Sequence, residues 1–262
     1  MDIEFYQIDA FTNEVFKGNP AGVCPLDKWI SEDIMQNIAF ENNLSETAFY
    51  TKTNNGFDIR FFSPTTEINL CGHATLATAF VEFIIKKNSN SILNFNSKGG
   101  LLKVERQNEL LQLNFPITNF KKIPITNELK APFNFTPIEA FETNNHKILI
   151  FEDQLSIENL NFDLTQIAQI DTNAISVTAK GNNYDFVSRF FAPKMGINED
   201  PVTGSAHTFL APLWSQKLNK KIVKAKQVSP RGGELLCEVI NDRVLISGSA
   251  KLYLKGTINI DD

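Results

Sequence analysis

Residues 60–73 read RFFSPTTEINLCGH, and residues 189–193 read RFFAP. A basic residue, two phenylalanines, a small residue and a proline, met twice in 262 residues, point to a duplicated structural frame. Three further stretches repeat in the same order. NLSETAF at 43–49 lines up with AISVTAK at 174–180, CGHAT at 71–75 with TGSAH at 203–207, and SKGGLLKVE at 97–105 with PRGGELLCE at 230–238. All four pairs lie roughly 130 residues apart, so one register with small insertions predicts two halves of like fold about a pseudo-twofold axis. The halves are set at 1–115 and 116–262, with the last strand free to return to the first half.

Each half reads as strand-rich with helical windows. SEDIMQNIAFEN at 31–42 opens with a serine cap and an acidic first turn, then places Ile34 and Ile38 on one face, which predicts an amphipathic helix. ATLATAFVEFIIKK at 74–87 is apolar almost all round until its lysines, as a helix buried at a domain centre is. FDIRFF, ILNFN, LLQLNF and VLISG are short β-branched and aromatic runs that predict strands around it. The GG pairs at 99–100 and 232–233 predict turns or bulges. The second central helix, SAHTFLAPLWSQKL from 205, holds Pro212, which predicts a kink or an early stop. The fold class expected is therefore α+β, with a barrel-like, mostly antiparallel sheet around a central helix in each half.

The two copies differ where chemistry would sit. Glu46 of the first has Val177 against it in the second, and the second brings Asp200 and Ser205 where the first brings His73. Unlike polar groups on a duplicated frame suit acid-base catalysis, in which one group takes a proton and another returns it. Gly72 and Gly204 each stand at a strand-to-helix junction, where open backbone N–H groups favour an anion. Each residue also has a purely structural reading. Glu46 can be a surface or capping carboxylate, His73 a hydrogen-bonded core histidine, and Asp200 before proline a turn former. Ser205 and Thr203 can be helix caps, and Cys71 a small buried hydrophobe. Arg60 and Arg189 can bind an anion or tie strands together, and the 22 phenylalanines fill the core.

Composition narrows the function class. A net charge of -5, a pI near 5.4 and no basic run argue against nucleic acid as a partner. The start, MDIEFYQIDAF, lacks the pattern of a secretory leader, and the apolar stretch around 76–85 is too short to span a bilayer, so a cytoplasmic protein with no membrane partner is expected. Cys24, Cys71 and Cys237 have no CxxC spacing, and His73, His146 and His207 are scattered, so no metal site is expected.

DAFTNEVFKGNPAGV at 9–23, NLSETAF, FFSPTTEINLCGHATLA at 61–77, RFFAPKMGINEDPVTGSAHTFLAPLW at 189–214 and SPRGGEL at 229–235 resemble the PhzF-like family, named for the phenazine-biosynthesis isomerase. The resemblance runs from about residue 6 to the C-terminus. It implies a fold similar to diaminopimelate epimerase with the active site in the cleft between two like domains, a homodimer, and no cofactor. Carried over, the family's proton-shuttling carboxylate falls on Glu46, and its supporting groups on His73, Asp200 and Ser205. Backbone amides around Gly72 and Gly204 would hold a substrate carboxylate. Pro201 and His207 depart from the phenazine enzyme's own motif, and Thr203 stands where the epimerases' second thiol would face Cys71. These departures disfavour a phenazine precursor and a two-thiol racemase. The expected function is an isomerase moving a proton within a small carboxylate-bearing substrate. An amino- or hydroxy-acid racemase or epimerase, and a non-catalytic binding protein of the same fold, stay open.

Overall fold

In a computed structural model describing residues 1–260, the chain divides into two compact units: Met1–Asn114 with the segment from Ser247, and Phe115–Ile246. The first contains β1 (Asp2–Ala10), β2 (Asn19–Leu26), α1 (Glu32–Asn42), β3 (Glu46–Thr53), β4 (Gly56–Phe62), β5 (Glu67–Ile68), α2 (Gly72–Phe80), β6 (Ile92–Ser97), β7 (Gly100–Gln107) and β8 (Leu110–Pro116). It also takes back the last strand, Ala250–Asn259, which pairs antiparallel with β1. Pairing then runs β1 to β2 antiparallel, β2 to β3 parallel, β3 to β4 antiparallel, β4 to β6 parallel, and β6 to β7 to β8 antiparallel.

The second unit contains β9 (Lys121–Ile123), α3 (Asn127–Lys130), β10 (Glu139–Glu142), β11 (His146–Ile150), α4 (Gln154–Glu158), α5 (Leu164–Gln169), β12 (Ala174–Lys180) and β13 (Phe186–Ala192). It continues with β14 (Ile197–Asp200), α6 (His207–Leu218), β15 (Ile222–Gln227), β16 (Gly233–Ile240) and β17 (Arg243–Gly248). Its pairings repeat the signs of the first: β10 to β11 antiparallel, β11 to β12 parallel, β12 to β13 antiparallel, β13 to β15 parallel, β15 to β16 antiparallel. Strand β9 flanks β10 as the last strand flanks β1.

Each sheet is buried on two faces, which is why β3, β12 and β13 are buried at nearly every position on both sides of the strand. In the first unit α2 lies inside, and α1 seals the outer face with Met35, Ile38 and Ala39 against Phe5, Phe49 and Phe62. Ser31 caps α1 by accepting from the Ile34 amide at 3.3 Å, and left-handed Asn43 ends it. In the second unit α6 is ringed by strands: Trp214 Nε1 donates to Thr178 Oγ1 of β12 at 2.9 Å, and Phe186 of β13 stacks on Trp214. Phenylalanines do fill the core, with Phe11, Phe49, Phe61, Phe62, Phe95, Phe151, Phe186, Phe191 and Phe209 fully buried.

Three expectations are corrected. The first central helix begins at Gly72 and gives way to a π-helical turn over Val81–Ile85, so it ends before the lysines. The second runs through Pro212 to Leu218, so of the kink or early stop expected there the stop does not occur. Proline removes the N–H that the Thr208 carbonyl would have received, and the Thr118 backbone N–H replaces it at 3.1 Å. Lastly, the register moves the partner of Glu46. Phe49 pairs with Arg60 and Val177 with Arg189, so Val177 is the counterpart of Phe49, and Glu46 matches Ala174.

The same register explains the repeated RFF string. Arg60 Nε and Nη2 donate to Glu67 at 2.7 Å each, with Glu32 a further partner at 2.6 Å. Arg189 Nε and Nη2 donate to Glu199 at 2.7 and 2.9 Å. Phe61 pairs with Ile68 and Phe190 with Asp200, which makes Glu67 and Glu199 equivalents. Each arginine thus ties its strand to the segment leading to its central helix.

His207, in the first turn of α6, has a consequence for stability. It is fully buried, its Nδ1 lies 2.8 Å from the Thr203 carbonyl, and its Nε2 has no hydrogen-bond partner among the described residues. Burial, partly offset by the Thr203 carbonyl, pulls its pKa down to about 4. Between pH 6.5 and about 4 the unfolded chain therefore takes a proton that the folded one refuses. Stability present above pH 6.5 is expected to fall by up to about 3 kcal/mol across that window. Melting profiles against pH are expected to be flatter for His207→Asn than for the wild type, and superimposed profiles would refute this.

Candidate active site

The NLSE stretch folds by a simple local logic. Asn43 in the left-handed region closes α1, the chain turns through Leu44 and Ser45, and β3 begins at Glu46. Cys71, in extended conformation, precedes α2, and His73 stands in its first turn. These two local events bring Glu46, Cys71 and His73 together, at 8%, 6% and 7% exposure. His73 Nε2 lies 3.0 Å from Glu46 Oε2, and Cys71 Sγ lies 3.4 Å from His73 Nδ1. Asn19 Nδ2 reaches the same Nδ1 at 3.4 Å. Glu46 Oε2 is buried, and among the described residues its close polar neighbour is the His73 ring at 3.0 Å.

Electrostatics couple the three groups. Burial alone would lower the His73 pKa, but Cys71 and the Glu46 carboxylate together raise it well above the usual histidine value. Burial and the same carboxylate push the Cys71 thiol up, with His73 opposing. The three groups therefore share their protons, and none of them titrates independently of the other two. Glu46, Cys71 and His73 also place O, S and N donors within 4.8 Å of one another, a set that could hold a metal ion. Among the described residues no side-chain oxygen caps α2; the Ala74 amide of its first turn faces the Cys71 thiol, and the amides beside it at Gly72 and His73 have no side-chain partner.

In the second unit, β14 ends on half-buried Asp200. Thr203 Oγ1 donates to Asp200 Oδ2, and buried Gln227 clamps the turn, accepting from the Thr203 amide at 2.9 Å and donating to the Asp200 carbonyl at 2.6 Å. Ser229 Oγ donates to the Pro201 carbonyl at 2.7 Å, so the SPRGG segment braces the EDPVTG segment. Gly204 is buried, Ser205 is exposed, and no side chain caps α6. The structure thus groups Glu46, His73 and Gly72 in one unit, and Asp200, Gly204 and Ser205 in the other. Sequence reasoning took Cys71 for a mere hydrophobe and missed Asn19, Gln227 and Ser229. Asn19 and Ser229 lay inside the quoted GNPAGV and SPRGGEL motifs, whereas Gln227 had no signal.

Among the described residues, no helix is long and apolar enough to cross a membrane. The fold is an epimerase-like one: a hydroxyproline epimerase from Agrobacterium vitis superposes with a TM-score of 0.61 at 9% identity, covering 100% of this chain and 93% of that one, a likeness of fold alone. Residues 8–256 match the phenazine biosynthesis-like protein family (PhzC-PhzF), and the chain belongs to it. It is similar to an uncharacterized isomerase of Pseudomonas aeruginosa, 43% identical over 99% of this chain and 100% of the relative. The crystal structure of a phenazine biosynthesis protein of the PhzF family from Enterococcus faecalis matches with a TM-score of 0.97 at 46% identity, covering 99% of this chain and 100% of that one.

Proposed function

We propose that the protein is an isomerase that moves a proton within a small carboxylate-bearing substrate, with Glu46 as the shuttling group and no cofactor. The observation that carries this reading is the buried Glu46 carboxylate, whose Oε2 lies 3.0 Å from His73. Glu46 takes the proton from an acidic C–H, and the electron pair moves into an adjacent C=C or C=O. The resulting Glu46 carboxylic acid then returns the proton to a different carbon. His73 supplies the counter-charge while Glu46 is ionised. The open amides beside Gly72 and Gly204, with Ser205, are read as the carboxylate holders, and Asp200 as a supporting acid-base group.

The family match and the isomerase names of curated relatives support the reaction class. A second reading, epimerisation, is favoured by Cys71, whose thiol lies 3.4 Å from His73 and gives the center a second proton carrier. A screen of small unsaturated cyclic acids and of α-amino and α-hydroxy acids in deuterium oxide separates the two. Deuterium at a new carbon with double-bond migration supports isomerisation, and deuterium at the original carbon with inversion supports epimerisation. Binding of such an acid without any exchange would overturn both in favour of a binding protein.

A further inference from the structure

The strand registers reveal an ionisable side chain that the sequence repeat hides. In the first unit the parallel pair β2 and β3 sets Ala21 beside Glu46, and in the second β11 and β12 set His146 beside Ala174. Because Ala174 is the counterpart of Glu46, His146 occupies the place of Ala21: the same rung and the same face, one strand over. The acidic side chain of one unit is replaced in the other by an imidazole on the neighbouring strand.

The surroundings of His146 repeat the logic of the Glu46 center. Its ring packs on Phe209 in the first turn of α6, at 5.6 Å between centroids, and edge-on against Phe190, at 5.7 Å. Phe190 is the strand partner of Asp200. His146 is half-buried, and its ring nitrogens have no hydrogen-bond partner among the described residues. Burial lowers its pKa, so at neutral pH it offers one N–H donor and one lone pair.

A cavity of about 660 Å³, the size of a small-molecule site, opens beside it, lined by polar side chains that include Asn145, Thr172, Asn173 and Lys194. Lys121 and Lys147 at this cavity are both engaged by Glu142. Lys194 is held differently. Its Nζ donates to the Ile170 carbonyl at 2.6 Å and has no carboxylate partner among the described residues. Exposed Asp171 and Glu142 also line the cavity, two carboxylates against the three lysines, and the surplus cation favours a small anion.

We propose that the second unit carries its own small-molecule pocket, centred on His146 and Lys194, that takes a small carboxylate anion. One carboxylate oxygen accepts from the Lys194 ammonium and the other from the His146 N–H, with asparagine amides completing the shell. The proposal is independent of the role of Glu46.

Proton–carbon NMR of the full chain tests it, because three histidines give three resolvable ring signals. The His146 signal, identified by its loss in His146→Gln, is expected to shift saturably with succinate and not with sodium chloride of equal ionic strength. Lys194→Met, at an exposed position, is expected to weaken that response by about tenfold, the loss of one charge-assisted hydrogen bond. Glu46→Gln is expected to leave it unchanged, which keeps this pocket and the proposed reaction separately testable. A His146 signal that ignores succinate, or follows chloride equally, overturns the pocket. An unchanged affinity in Lys194→Met does so too, and a response to inorganic phosphate as strong as that to succinate overturns the carboxylate assignment.

Discussion

Replacing Glu46 by glutamine is expected to slow proton exchange on a turned-over substrate by about 10²- to 10⁴-fold, the usual worth of a positioned acid-base group. Glutamine keeps the shape of the side chain and its amide oxygen can still face the His73 ring, so the fold is expected to survive. A second signature accompanies the loss of rate. The carboxylate is one of the two groups raising the His73 pKa against burial, so in Glu46→Gln the His73 ring is expected to titrate at lower pH. By linkage, stability that the carboxylate lends to protonated His73 is present below the unfolded histidine value near 6.5. It is lost as pH rises through the folded one. Histidine NMR titration of wild type and Glu46→Gln measures the shift directly, and an unmoved His73 curve would show that the two groups are not coupled.

Truncating Arg189 is expected to be the most damaging single change to stability among the residues of the repeated motif. Its side chain is only 10% exposed and its partner Glu199 13%. The guanidinium also donates to the carbonyls of Ile157 and Leu160 and sits over the rings of Phe162 and Phe191 at 5.0 and 5.3 Å. Arg189→Ala strands a largely buried carboxylate and leaves two carbonyls short of a donor, a loss of about 3–5 kcal/mol. The equivalent Arg60 is 21% exposed, its partner Glu32 is 64% exposed, and its partner Glu67, though 11% exposed, keeps Lys98 as a second cation, so Arg60→Ala strands no carboxylate and is expected to cost about 1 kcal/mol. Urea denaturation of both variants distinguishes the cases. Equal, small losses would mean that the two copies of the motif carry no different load.

The frame was legible because duplication multiplies weak signals. Strand β4 and its equivalent β13 were found from RFF and its copy, and the GG pairs fall where β7 and β16 begin. Helix α1 was readable from Ser31 and its acidic first turn, although the deepest side chain of its inner face is Met35, not Ile34. The alignment of Glu46 with Val177 slipped by three residues, because short runs of Ser, Thr, Ala and Val look alike in any register. Pairing with Arg60 and Arg189 removes the ambiguity, and that is tertiary information. The conclusion that Glu46 has no carboxylate counterpart survives, since Ala174 offers none.

The center itself was half legible. Glu46 and His73 could be picked out as candidates, but their 3.0 Å approach comes from the start of a strand meeting the start of a helix. Asn19 reaches His73 across 54 residues and Gln227 reaches Thr203 across 24, contacts that no local pattern encodes. Pro212 misled because local propensity omits the Thr118 amide that relieves it. His146 escaped notice because its equivalence to Ala21 appears only through two parallel strand pairs.

The central claim is that one carboxyl group carries a proton from one carbon to another. The most direct measurement uses the first acid found to react, deuterated at the labile carbon and turned over once in ordinary water by wild type and Glu46→Gln. Part of the deuterium is expected at the receiving carbon with the wild type, since a single buried carboxyl can redeliver the label before solvent replaces it. Almost no transfer or turnover is expected with Glu46→Gln. Undiminished turnover and transfer by Glu46→Gln would contradict the account.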